Sequence, residues 1–226
     1  MTAGTLVLVR HGRTEYNAAQ RLQGQVDIPL DDVGRWQAEV GAQALLARFS
    51  PTAIVSSDLQ RAAATAQYLG DAVGLEVAYD ARLRERSFGA WEGLTADEMV
   101  TGWPDEYAGW KSGSEPTTIG AERRTDVGER FAAAVAEHGE ALGPKDVLAV
   151  VSHGAAISIA ITALLGIDPD GWKGIQGMHN AHWSVLRASG AGATPAWRLT
   201  AHNVGPDYPV EHWVAGPDFA IERGSV

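Results

Sequence analysis

The chain has 226 residues, 45% of them hydrophobic, a size and composition that suit one domain with a full apolar core. A formal net charge of −10 disfavours nucleic acid or an anionic membrane as partner. The lack of any cysteine excludes disulfides, thiol nucleophiles and thiolate metal sites. No stretch reaches the apolar length of a membrane span, and the first residues lack the basic region and long apolar core of a signal peptide, so the expected location is the cytoplasm.

Leu6–Val9 is a short apolar run with two valines, the pattern of a buried parallel strand. It runs into Arg10-His11-Gly12, with Thr14 and Asn17 following. Asp32–Phe49 carries Val33, Trp36, Val40, Ala44 and Leu45 at helical spacing and reads as an amphipathic helix. Ala53–Val55 is a second strand, ending at Ser56-Ser57-Asp58, which suits an N-cap; the helix that follows contains Arg61 in its first turn and stops at Gly74. Leu75–Tyr79 is a third strand.

Residues 88–120 break the alternation. Their glycines, Pro104, Pro116 and tryptophans 91, 103 and 110 read as an insertion over a pocket, with a helix starting at the capping box Thr95-Ala-Asp-Glu98. Ala121–His138 reads as helix, Val147–Val151 as the most apolar strand, and Ala155–Leu165 as a helix closed by Gly166. Ser184–Arg187 and Trp197–Ala201 are late strands. The expected fold is three-layer α/β/α, a mostly parallel sheet in one domain over 1–226, with 88–120 covering the active site.

Arg10 and His11 end one strand, Ser152-His153-Gly154 ends another, Arg61 opens a helix after a third, and Glu85 sits in Arg82-Leu-Arg-Glu-Arg-Ser-Phe-Gly-Ala-Trp-Glu-Gly-Leu-Thr95. In an open parallel sheet, ligands bind beyond the carboxyl ends of the strands, where groups distant in sequence converge. Singly, each residue has a plain structural reading: a strand-corner histidine, a solvated helix arginine, a surface carboxylate among Arg82, Arg84 and Arg86. Together they suit attack by an imidazole on a phosphoryl group held by cations.

Arg-His-Gly-x-Thr-x-x-Asn, Ser-Ser-Asp-Leu-x-Arg-Ala-x-x-Thr-Ala, Leu-x-Glu-x-x-x-Gly-x-Trp-Glu-Gly-Leu-Thr and Ser-His-Gly occur in the order found in the histidine phosphatase, or phosphoglycerate-mutase-like, superfamily, which the chain resembles over 10–154. Arg21-Leu-Gln-Gly-Gln25 and Arg35-Trp-Gln-Ala38 are similar to the actinobacterial glucosyl-3-phosphoglycerate phosphatases within it. The resemblance implies that His11 is a nucleophile forming a phosphohistidine, with its other ring nitrogen bonded to the carbonyl of Gly12. It implies that Arg10, Arg61 and His153, with Gly154 beside it, hold the phosphoryl oxygens, that Asn17 adds a neutral donor, and that Gln23 and Gly24 line the substrate side. Glu85 is then the general acid and base, favoured in its protonated form by partial burial and a nearby phosphate dianion. The resemblance also implies no cofactor, no metal and a homodimer.

His179 and His182 form a His-x-x-His pair, but no carboxylate at a convincing spacing joins them as a metal site would need, and His182 stands where the family more often has a small residue. Trp91 matches a family position, Trp103 and Trp110 suit the pocket entrance, and His138, His202 and His212 carry no pattern.

Three functions fit: a phosphomonoesterase, a cofactor-dependent phosphoglycerate mutase, and a non-catalytic module that binds phosphate ligands. The mutases differ in following the glutamate with Arg-x-Tyr-Gly and a longer basic insertion; here Phe88-Gly-Ala-Trp-Glu92 follows and only Lys111 is basic in the next stretch, which favours hydrolysis.

Overall fold

The structure, a computed structural model, describes residues 3–216. Six strands form one sheet: β1 (Thr5–Arg10), β2 (Ala53–Ser56), β3 (Val77–Tyr79), β4 (Val147–Ser152), β5 (Trp183–Ala188) and β6 (Trp197–Val204), in the order β3-β2-β4-β1-β5-β6. The first four positions are parallel, and β5 and β6 add an antiparallel edge. The helices are α1 (Glu15–Ala18), α2 (Asp32–Leu46), α3 (Gln60–Val73), α4 (Ala96–Gly102), α5 (Pro104–Lys111), α6 (Arg124–Gly139), α7 (Gly154–Leu164) and α8 (Val210–Ala215). None is long and apolar enough to cross a membrane.

The period-two alternation of β1 and β4 explains the layers. Leu6 and Leu8, with Leu148 and Val150, pack against Val127, Phe131, Ile157 and Ile161 of α6 and α7. Val7 and Val9, with Ala149 and Val151, pack against Ala42 and Leu45 of α2 and Ala62, Ala66 and Leu69 of α3. Both faces of the sheet are thus covered, so the inner residues of its central strands, Leu6–Val9 and Leu148–Val151, are apolar on both sides, as in buried parallel strands. Each large side chain so buried stabilises by about 1.5–3 kcal/mol. The result is the α/β/α sandwich read from the strand–helix alternation. Residues 88–120 pack around a separate cluster of Phe88, Trp91, Met99 and Ile119, with Trp103, Tyr107 and Trp110 against it.

Several boundaries differ from expectation. The helix begun at Asp32 ends at Leu46, three residues before Phe49, and its buried face is Gly34, Ala38, Gly41, Ala42 and Leu45. Of the expected apolar stripe only Leu45 is buried in the core; Ala44 is half-buried against it, and Val33, Trp36 and Val40 are half-buried on the flank. Small residues let α2 approach the backbone beyond the sheet closely, since a Cβ on Gly34 would lie 1.9 Å from Arg13 O and one on Gly41 3.0 Å from Ala181 O, while Trp36 turns to Trp213 of α8, ring centroids 5.0 Å apart, and to Tyr208. The strand expected from Leu75 begins at Val77, and the helix expected from Ala121 begins at Arg124. Ser56, Ser57 and Asp58 do not cap α3: its N-cap is Leu59, without a side-chain bond. The two serines are used elsewhere, as the site shows.

Candidate active site

The register of the sheet sets the site. Arg10 lies opposite Ser152 across β1 and β4, and the His11 N–H donates to the Ser152 carbonyl at 3.0 Å. His11 and His153 therefore leave adjacent strand ends side by side, with ring centroids 5.1 Å apart. On the other flank of β4, the Ser57 N–H donates to Val151 O at 2.9 Å, which puts the end of β2 beside His153. Arg61, one turn further along, is wholly buried.

A cavity of about 420 Å³ opens over these strand ends. Arg10, His11, Asn17, Gln23, Gly24, Arg61, Glu85 and Gly154 all line it, so the structure brings together the residues singled out from sequence. His153 stands behind them, fully buried against His11.

The His11 Nδ1–H donates to Gly12 O at 2.6 Å, which leaves Nε2 with a lone pair. Burial first, then the charges of Arg61 and Arg10, push the His11 pKa well below 6.5, so the imidazole is neutral. Gly12 is required for a different reason: a Cβ there would lie 2.3 Å from Gly34 O. The Arg61 guanidinium donates to Val26 O at 2.7 Å and Gly24 O at 2.8 Å, and Arg10 donates to Met178 O. Burial pushes the Arg61 pKa down to about 10 and lowers that of Arg10, yet both remain cations. Arg10 Nε, Arg61 Nε and His153 Nδ1 are buried nitrogens without a hydrogen-bond partner among the described residues. Buried donors are seldom left so, and three in one place mark where an anion would be held.

Glu85 is buried rather than a surface carboxylate. Its Oε1 accepts from the backbone N–H groups of Arg86 at 2.8 Å and Ala156 at 2.7 Å, and its Oε2 from Ala155 at 3.1 Å. It thus caps the start of α7 from a distant loop. Arg130 of α6 gathers the carbonyls of Arg82, Arg84 and Glu85 at 2.6–3.0 Å while paired with Glu122, which fixes the loop that bears Glu85. Asn17 closes a capping box with Thr14, and its Oδ1 also accepts from Asn180, so the side chain presents its NH₂ group as the spare donor. The Gln23 Oε1 accepts from Thr14 Oγ1 at 3.0 Å, leaving its amide N–H groups likewise. Gly24 has φ +51°, and a Cβ there would meet the Glu92 carboxylate at 2.2 Å. Glu92 itself ties the rim together by accepting from Gln25 N, Phe88 N and Ser87 Oγ.

The structure also assembles groups that sequence reading did not single out. Arg124 and Lys173 line the same cavity, beside Trp110, which was expected at the entrance, and Arg21 and Phe88 of the motifs quoted above. Lys173, Arg124 and Arg86 surround Glu115 at 2.6, 3.9 and 2.6 Å. Three segments distant in sequence supply these charges, and no spacing rule predicts that they meet. Trp103 is packed in the cluster of residues 88–120 and is not among the cavity's lining residues, whereas Trp110 is at its edge. His179 and His182 lie 5.3 Å apart, and His182 packs on Trp213 outside the cavity, its pKa lowered by burial to about 4. Among the described residues no three His, Asp or Glu side chains gather as a metal ion would require.

Comparison with known proteins agrees with the geometry. Residues 6–203 match the family model described as histidine phosphatase superfamily (branch 1). The chain is 41% identical over 216 residues to a glucosyl-3-phosphoglycerate phosphatase of Mycolicibacterium vanbaalenii, covering 90% of this chain and 96% of that one. A solved mycobacterial glucosyl-3-phosphoglycerate phosphatase in complex with VO₃ superposes with a TM-score of 0.81 at 39% identity, covering 89% of this chain and 99% of that one. A probable phosphoglycerate mutase of Yersinia pestis is 40% identical over a shorter span, 71% of this chain and 74% of its own. A neutral, buried imidazole among cationic and orphaned N–H donors, on this sheet and in this sequence context, belongs to a phosphatase enzyme of the histidine phosphatase superfamily.

Proposed function

We propose that the protein hydrolyses a phosphomonoester through a phosphohistidine on His11, as one domain whose residues 88–120 cover the reaction cavity. The supporting feature is the bare Nε2 of His11 grouped with three buried nitrogens that no group among the described residues satisfies. The lone pair of Nε2 attacks phosphorus, the bond from phosphorus to the ester oxygen breaks, and Glu85 gives that oxygen its proton. Arg10, Arg61 and His153 hold the equatorial oxygens as charge develops on them, and Asn17 adds a neutral donor. Water then attacks the phosphohistidine, Glu85 takes its proton, the P–N bond breaks, and inorganic phosphate leaves. Oε2 of Glu85 accepts only one backbone N–H and so has a lone pair free for this exchange.

The substrate we infer is glucosyl-3-phosphoglycerate or a related phosphorylated hydroxy acid, as the names of the similar phosphatases suggest. The cavity supports this choice. Lys173, Arg124 and Arg86 gather on the carboxylate of Glu115, and the other acidic group near Arg124, Asp170, is itself paired with Arg123, which leaves surplus positive charge where Lys173 and Arg124 line the cavity. A glycerate carboxylate is the complement of that charge. Replacing Lys173 by alanine is therefore expected to raise KM about fivefold for phosphoglycerate esters, a modest loss because the ammonium is partly exposed. The same variant should leave KM for p-nitrophenyl phosphate unchanged, and equal effects on both would remove Lys173 from substrate recognition.

The direct test is incubation of glucosyl-3-phosphoglycerate with the enzyme, with release of inorganic phosphate as the expected result. Transfer of the phosphoryl group between phosphoglycerates would instead indicate a mutase, and binding without turnover a ligand-binding module. Because Arg10 and Arg61 bring the positive charge to the phosphoryl group, turnover should persist in EDTA. Loss of most activity in the chelator, restored by added metal, would contradict that part of the mechanism. We further infer a cytoplasmic homodimer, which sedimentation of the purified chain and fractionation of cells would check.

A further inference from the structure

Ser57 touches no part of the cavity, yet it bears on the reaction. It is wholly buried at the end of β2, and its Oγ lies 2.9 Å from His153 Nε2. Ser57 Oγ has one other hydrogen-bond partner among the described residues, the backbone N–H of Leu59 at 3.3 Å, which is a donor. Ser56 does not compete, since its hydroxyl donates to the Ser57 carbonyl.

A hydroxyl brings one hydrogen. The Leu59 N–H fills an acceptor position on Ser57 Oγ, so among the described residues the only acceptor within reach of the Ser57 hydrogen is His153 Nε2. Were Nε2 to carry a proton and donate instead, the Ser57 hydrogen would be buried without an acceptor, and His153 Nδ1 would turn a lone pair toward phosphoryl oxygens. We propose that Ser57 is a positioning residue: its hydroxyl donates to Nε2 of His153 and so holds that ring's proton on Nδ1, the nitrogen left to bind the phosphoryl group. This inference rests on the phosphoryl site described above.

Independent features agree. His153 Nδ1 is buried and unpartnered, as a donor reserved for a ligand would be in its absence. Burial, with Arg61, His11 and Arg10 nearby, pushes the pKa of His153 well below 6.5, so the ring has one proton to place. The two histidines then carry the same tautomer for opposite purposes. In His11 the Gly12 carbonyl accepts the hydrogen bond of Nδ1–H, which holds the proton there and leaves Nε2 a nucleophilic lone pair. In His153 the Ser57 hydroxyl takes the Nε2 lone pair and exposes an N–H donor. Neither serine nor glycine meets the substrate, yet each decides what its histidine offers.

The test is ¹⁵N NMR of the ligand-free wild-type enzyme labelled on histidine. His153 should show a protonated, pyrrole-type Nδ1 and a bare, pyridine-type Nε2. Ser57→Ala should shift the signals toward a mixture of tautomers and raise the inhibition constant of inorganic phosphate about tenfold or more, whereas Ser57→Thr, which keeps the hydroxyl, should restore both. A pyridine-type Nδ1 in the wild type overturns the proposal, as does Ser57→Ala with an unchanged tautomer and phosphate affinity within about twofold. Should Ser57→Ala not fold, the wild-type spectrum alone decides. A protonated Nδ1 in an enzyme that releases no phosphate would count against the hydrolytic reading and leave the tautomer assignment intact.

Discussion

His11→Ala is expected to abolish turnover, by a factor on the order of 10⁴ or more, because in the proposed mechanism it removes the group that splits hydrolysis into two easier steps. The Cβ of alanine keeps the strand end but leaves the cluster of donors with nothing to attack the phosphorus they bind. Arg10, Arg61 and His153 are untouched by the substitution, so inorganic phosphate should still bind. Rapid acid-free quenching of the wild type with labelled substrate should trap phosphate on the protein that is lost in acid, as a phosphohistidine is, and His11→Ala should trap none. Activity within about tenfold of wild type, a barrier change of only about 1.4 kcal/mol, would sink the nucleophile assignment. The neutral state that attack requires is built into the place: the ring is 2% exposed and flanked by two guanidinium groups, so burial and charge both disfavour the imidazolium.

The parts of this site that were legible in the sequence lie at strand ends. Arg10-His11 and Ser152-His153 each follow an apolar run, and an open parallel sheet brings such ends to one edge. What was not legible depends on segments meeting through tertiary packing. Glu85 reads in isolation as one carboxylate among three arginines; that it caps α7, seventy residues on, follows only once the loop is laid against that helix. Ser57 reads as a helix cap because serine before an apolar-periodic run usually is one, and the competing demand of His153 is invisible until β2 and β4 pair. The helix from Asp32 was legible as a helix, but its buried face was not. Large apolar residues normally mark the core side, and here α8 offers Trp36 a second apolar surface while the small residues Gly34, Ala38, Gly41 and Ala42 make up the buried side, Gly34 against Arg13 and Gly41 against Ala181. The charges at Arg124 and Lys173 come from opposite sides of α7 in the chain and carry no local pattern at all.

Glu85→Gln is expected to lower kcat far more than it raises KM, the mark of an interaction lost in the transition state. Glutamine is the informative replacement because it separates two tasks of the side chain. Its amide oxygen can still accept the N–H groups of Ala156 and Arg86 that Oε1 accepts now, so the shorter half of the α7 cap is kept and only the 3.1 Å bond from Ala155 to Oε2 is lost. Alanine would uncap it at a cost of about 0.5–2 kcal/mol and mix a folding effect into the kinetics. Glutamine cannot exchange a proton. The loss should be roughly 10²–10⁴-fold with a sugar-acid alkoxide as leaving group, the range usual for general acid catalysis. With p-nitrophenyl phosphate it should shrink, because that phenolate departs without needing a proton. Arg61→Ala supplies the contrast: both substrates present the same phosphoryl oxygens to the guanidinium, so both should suffer alike. Leaving-group dependence in one variant and its absence in the other assigns proton transfer to Glu85 and charge binding to Arg61. An equal loss on both substrates for Glu85→Gln would instead place the acid on another carboxylate or on water, and Glu85 would keep only its role as the cap of α7.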